Sequence, residues 1–224
     1  MHAFMGLVVA IAGAVLLAQH EQHGGATSAA QGGHMEHRFE DAEKYAKRFD
    51  DPARDAWQMP ARVIEALALG PGQSVADIGA GTGYFTVRLA KSPAAPKVFA
   101  VDIEESMVDY VRQRAAKEGL ENVVVVHASA DRANLPEPVD LVLVVDTYHH
   151  IPNRSAYFRE LGKSIKPGGR LAIIDFRKDS PEGPPVEFRF TPEEITSELT
   201  KAGFTLDSRH DFLPRQMFLI YRVS

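Results

Sequence analysis

A doubly wound α/β domain, a mostly parallel sheet with helices on both faces, is the fold that this sequence predicts. Three observations carry the prediction. Downstream of residue 72, short β-branched runs alternate with helical stretches. Those runs (QSVADI, KVFAVDI, NVVVVHA, VDLVLVVDTY, GRLAIIDF) are continuously apolar instead of alternating, as strands must be when helices cover both faces of a sheet. The last two, FTLDSRHDF and QMFLIYRV, have only a short turn at Leu213 and Pro214 between them, so they are expected to form an antiparallel C-terminal hairpin.

The elements read in order as follows. Residues 3–18, AFMGLVVAIAGAVLLA, carry no charge and are short for a span of ~20 residues, so residues 1–18 read as a signal peptide. An uncleaved membrane anchor through residues 3–18 is the alternative, with translation from Met35 behind it. Residues 19–37 are rich in Gly, Ala, Gln and His and read as a flexible linker. Its pairs His20 with His23 and His34 with His37 have metal-binding spacing, but no carboxylate or cysteine completes a shell, so no metal is expected. The remaining domain is taken as 38–224. Its first part, 38–60, sets Phe39, Tyr45, Phe49 and Trp57 among charges on helical turns broken at Pro52 and Pro60. MPARVIEAL then reads as a helix with Val63, Ile64 and Leu67 facing inward. The stretches YFTVRLAKS, EESMVDYVRQRAAKEGL, RSAYFRELGKSI and TPEEITSELTKAGF read as the covering helices, and PGG at 167–169 as a helix stop and tight turn before the fifth strand.

Composition excludes several functions. With 224 residues and a net charge of -5, there is no basic patch for nucleic acid or for an anionic membrane surface. Cysteine is absent, which removes disulfides, thiolate metal sites and a cysteine nucleophile.

The chemistry starts at VADIGAGTGYF, residues 75–85, where Gly79, Gly81 and Gly83 follow an apolar strand. Such a loop lets backbone amides approach a ligand. No Gly-Lys-Ser/Thr follows, which excludes a phosphate loop, and Tyr84 stands where the dinucleotide pattern needs its third glycine. Asp77, two residues before Gly79, would repel a pyrophosphate and suit a ligand with positive charge. Ligands of this fold bind outside the carboxyl ends of the strands. The residues there are Asp77 and the glycines, Asp102, Asp131, and the run Asp146, Thr147, Tyr148, His149 and His150. Asp102 can accept both hydroxyls of a ribose or cap the helix after it, and Asp131 can meet an adenine amino group or close an Asx turn.

Together, VADIGAGTGYF, VFAVDIEESM, SADRANLP, VDLVLVVDTYHHIPN and SIKPGGRLAIIDF resemble the class I S-adenosylmethionine-dependent methyltransferases, especially the type-11 group that includes quinone and small-molecule methylating enzymes. The resemblance covers about residues 58–223. It implies a seven-stranded sheet in the order 3-2-1-4-5-7-6 and S-adenosylmethionine as cofactor. Gly79, Gly81 and Gly83 would pass beneath the methionine part, with Asp77 toward its ammonium group. Asp102 would hold the ribose, Ile103 and Met107 would flank the adenine, and Asp131 would meet its amino group. Asp146 and Thr147, with Tyr148 and His149, would line the floor beneath the methyl.

An activated methyl needs little acid or base help, but a hydroxyl or an acidic carbon acceptor needs a base, and Tyr148, His149 and His150 are the candidate catalytic residues. Packing against the sheet is the competing role for either histidine. The acceptor is expected to be small and apolar or aromatic. Its pocket would be lined by Phe39, Tyr45, Phe49, Trp57, Tyr148, Phe188 and Phe190, with Arg38, Arg54 or Arg189 as anion contacts. Arsenite methylation, which relies on thiols in similar enzymes, is set aside. The expected function is therefore methyl transfer to a small molecule. The alternatives are a non-catalytic, exported or tethered cofactor-binding module and, more distantly, a NAD-dependent oxidoreductase. Segment 38–60 is expected to act as a lid, and the protein to be exported.

Overall fold

The computed structural model describes residues 41–224. The expected leader, the expected linker with its histidine pairs, Arg38 and Phe39 lie outside the described residues.

The chain opens with α1 (Ala42–Phe49), a single helical turn at Pro52–Arg54, α2 (Asp55–Gln58) and α3 (Pro60–Leu67). Pro60 stands at the first position of α3, where its missing N–H costs nothing. Then β1 (Ser74–Ile78), α4 (Tyr84–Ala90), β2 (Lys97–Asp102), α5 (Glu105–Lys117), β3 (Val123–His127) and β4 (Val139–Val145) follow. A turn of 3-10 helix at Tyr148–His150 leads to α6 (Arg154–Gly162), β5 (Ile165–Phe176), α7 (Pro192–Lys201), β6 (Phe204–His210) and β7 (Gln216–Val223). Thr191 and Glu194 form a reciprocal capping box on α7.

The sheet order is 3-2-1-4-5-7-6, parallel except that β7 runs antiparallel to both β5 and β6. The apolar runs are continuous because neighbouring residues serve opposite cores. Ala76, Phe99, Val142 and Ile173 join the core under α6 and α7, whereas Val75, Val98, Leu143 and Ile174 join the core under α3 and α4. Val111 of α5 packs on Ala80 and Ala100. Ile64 is only partly buried, beside the fully buried Val63 and Leu67.

The PGG segment differs from its expected role. It lies inside β5, where the pairing jumps from Val139–Ile165 to Leu141–Arg170, a bulge that ends the smooth register. Close approach is the reason: a Cβ on Gly169 would lie 2.9 Å from the Asp140 carbonyl.

Candidate functional site

Four parallel strands end side by side, and each ends at or near a carboxylate. After β1 the chain turns through Gly79 at φ +71, and a Cβ there would lie 2.3 Å from the Thr147 hydroxyl oxygen. Only glycine lets the loop after β1 meet Thr147, two residues after β4, so closely. The Gly79 and Ala80 amides both donate to the Val101 carbonyl, which ties the loop to β2. A Cβ on Gly81 would come 3.5 Å from the ring of Phe49, so α1 lies directly over the glycine loop.

Asp77 is buried and accepts the Thr86 hydroxyl at 2.7 Å. Burial pushes its carboxyl up to about 6, against the pull of that hydrogen bond, with Asp102 adding to the rise. Asp102 accepts the Gly81 amide at 2.8 Å and the Glu104 amide at 3.0 Å, one on each oxygen, and burial raises its carboxyl as well. Each oxygen keeps a second lone pair for a hydroxyl. Beside it Ile103 is 51% exposed, an apolar platform, whereas Met107 is buried at the first turn of α5.

Asp146 stands at φ +52 just after β4. Its carboxylate accepts the Gln216 amide at 2.5 Å and the Gln58 amide at 3.4 Å, and Arg54 lies 3.7 Å away. Burial, then the neighbouring Asp175, push it up to about 6. Gln58 and Gln216 are themselves buried and bonded to each other at 3.3 Å. Beside this cluster, His149 Nδ1 faces both oxygens of Asp175 at 2.9 and 3.0 Å. Burial opposes a charge on His149, but the charge and hydrogen bond of Asp175, helped by Asp146, raise it above the ordinary histidine range. The ring of His150 lies 4.2 Å from that of His149.

Some expected site residues stand elsewhere. Tyr148 is fully enclosed in the core, its hydroxyl 2.5 Å from Glu198 and its ring against Phe158 and Phe190, because a buried phenol must find an acceptor. Burial and Glu198 both raise its hydroxyl, which makes it a poor proton donor or acceptor for catalysis. Asp131 is exposed and accepts the Ser129 hydroxyl at 2.8 Å within its own loop. Arg189 is buried and donates to the Pro184 and Ser180 carbonyls within its loop, so it offers no anion contact. Trp57 packs on Phe176 at the end of β5, and Tyr45 on Phe49.

Sequence reasoning missed Asp175, Gln58, Gln216 and Thr82. Asp175 was open to discovery, since it nearly ends β5 as Asp102 ends β2. Gln216 was not, because it begins a strand, and only the antiparallel course of β7 brings it to this end of the sheet.

The residues fit an adenosyl cofactor bearing an amino acid. The glycine loop is held open by contacts that a Cβ would fill, and the acids suit hydroxyls and positive charge. The Thr82 hydroxyl in that loop is the one buried side-chain polar atom without a partner among the described residues. A cleft of about 580 Å³ between α7 and β6, lined by Thr196, Thr200, Leu206 and Arg209, contains none of these groups.

The model of the methyltransferase domain family matches residues 69–208. The chain is 32% identical over 129 residues to the methyltransferase GfsG of Streptomyces halstedii, covering 56% of this chain and 46% of that protein. It is 36% identical over 113 residues to the ubiquinone/menaquinone biosynthesis C-methyltransferase of Cupriavidus metallidurans, covering 48% and 45%. The chain thus spans about half the length of the curated relatives it matches. The crystal structure of a SAM-dependent methyltransferase from Aquifex aeolicus is 30% identical, with a TM-score of 0.76 over 84% of this chain and 100% of that one. The [4+2]-cyclase SpnF, 23% identical at a TM-score of 0.60 over 69% of this chain and 60% of that one, shares the fold alone. The strand order, the glycine loop with its acids and these likenesses agree: the chain belongs to the class I S-adenosylmethionine-dependent methyltransferases, with the type-11 quinone methyltransferases among its relatives.

Proposed function

We propose that this domain methylates a small apolar or aromatic acceptor at a hydroxyl or an acidic carbon, with His149 as the base and Asp175 as its positioning residue. The observation that supports this most is the buried His149–Asp175 pair at the ends of β4 and β5, next to the residues suited to the cofactor. Bound S-adenosylmethionine supplies a methyl group that is already electrophilic, because it sits on a sulfonium. The chain's own work is to orient, to exclude water and to take a proton. Asp77, the glycine loop and Asp102 hold the cofactor. Asp175 accepts from His149 Nδ1, which leaves Nε2 as the basic atom that takes the acceptor's proton. Trp57 and Phe176 offer the acceptor an aromatic wall, and segment 38–60 closes over it as a lid. The leader at residues 1–18 supports export of the domain.

The test is release of S-adenosylhomocysteine from a panel of phenols and quinols. Turnover on at least one, falling ~100-fold or more in His149→Gln, is the expected result. Cofactor binding with no turnover on any member would favour a binding module instead.

A further inference from the structure

We propose that Arg54 is the partner of the carboxylate on the cofactor's methionine part, a role that rests on the cofactor reading above. The acids that end β1, β2 and β4 suit an ammonium group, a ribose and a sulfonium, but each repels the α-carboxylate that the same ligand carries. A cation must answer it. Arg54 comes from the N-terminal segment and stands between the two loops that cradle the methionine part. Its guanidinium lies 4.2 Å from the ring centre of Tyr84, the residue after Gly83, and 3.7 Å from Asp146, the residue after β4.

Arg54 is held in place yet not used up. Its Nε and one terminal nitrogen donate to Gln58 Oε1 at 3.1 and 2.6 Å, and the other terminal nitrogen donates to the Phe49 carbonyl. Those three bonds leave two of its five N–H groups for a ligand. Asp146 does not claim them, since it already accepts two glutamine amides and its distance to Arg54 exceeds hydrogen-bond length. The side chain is 16% exposed, so a bond made there is worth more than one in water. Two other arginines beside the glycine loop are committed: Arg88 to Asp55 and the Tyr84 carbonyl, Arg114 to Asp50, Glu118 and the Thr82 carbonyl. Because Arg54 also grips the carbonyl that ends α1, a carboxylate bound to it would draw the N-terminal segment onto the ligand.

The test titrates the full chain and its Arg54→Gln and Arg54→Lys variants calorimetrically with S-adenosylmethionine and with its decarboxylated analogue, which lacks only that carboxylate. Arg54→Gln is expected to weaken S-adenosylmethionine roughly 10- to 100-fold and to leave the analogue unchanged, with Arg54→Lys between. Equal weakening of both ligands, the signature of a merely structural arginine, would overturn the proposal, as would undiminished binding of S-adenosylmethionine. If the wild-type chain binds neither ligand, the cofactor reading fails and takes this one with it. If it binds both equally, only the carboxylate role fails. Circular dichroism of each variant separates loss of fold from loss of contact, and Arg54→Lys carries the test should Arg54→Gln unfold.

Discussion

His149 and Asp175 meet at the carboxyl ends of neighbouring parallel strands, with Nδ1 2.9 Å from Oδ2 and 3.0 Å from Oδ1, while the His149 backbone N–H donates to the same carboxylate at 3.3 Å. Both side chains are about 5% exposed or less, so the charge of Asp175 acts on the imidazole with little screening. As a base His149 must be neutral, so kcat/KM should rise with pH through an inflection above the ordinary histidine value. The stability that the pair contributes runs the other way. A raised histidine contributes fully below its unfolded pKa and loses that contribution as pH climbs through the raised one. In Asp175→Asn the inflection should move to lower pH. A pH–rate profile that does not move would remove the dyad.

Asp102 holds two backbone amides of its own loops as well as the expected ribose. Asp102→Ala should weaken cofactor binding by about 1.5–3 kcal/mol. Asp102→Asn, which keeps one accepting oxygen, should lose less. An unchanged dissociation constant in the alanine variant would end the ribose assignment.

Asp77 is an acid raised to about 6 by burial, so its linkage is the reverse of a salt-bridged carboxylate. The folded state prefers it protonated. Its stabilising share is complete below the unfolded value of 3.8 and is lost as pH rises through about 6. The ligand-free domain should therefore be more stable near pH 5 than near pH 8, by roughly 1.4 kcal/mol from this group. In Asp77→Asn that slope should flatten, and thermal melts across the range read it directly.

Segment 42–58 is tied to the site by Phe49 over Gly81, Asp50 on Arg114, and Asp55 on Tyr84 and Arg88. Deleting residues 1–57 removes those contacts but leaves both cores of the sheet intact. A folded domain with impaired turnover is expected, and full activity in the truncated protein would exclude a lid.

Export predicts a mature N-terminus near Gln19 in a fraction outside the cytosol. Cell fractionation with N-terminal sequencing reads this, and a soluble cytosolic product beginning at Met1 or Met35 would refute both export and anchoring.

Much of this molecule was legible in one dimension. Continuous runs such as VDLVLVV fall on a two-sided buried strand because alternate residues enter different cores, and that periodicity is local. The same holds for the glycine loop and for Asp102, whose places follow from where a strand stops. Only the tertiary structure decided what each polar side chain does with its hydrogen bonds. Tyr148 and His149 are adjacent, and nothing local separates them. The phenol turns into the core because Glu198 of α7 lies there to accept it, while the imidazole finds Asp175 across the strand ends. Likewise Gln58 and Gln216, 158 positions apart, meet at Asp146 only because β7 runs backwards along β5 and returns its first residue to the carboxyl end of the sheet. A strand is chosen by the apolar pattern of a few neighbouring residues, but a buried polar group is satisfied by whichever partner the whole topology brings within about 3 Å.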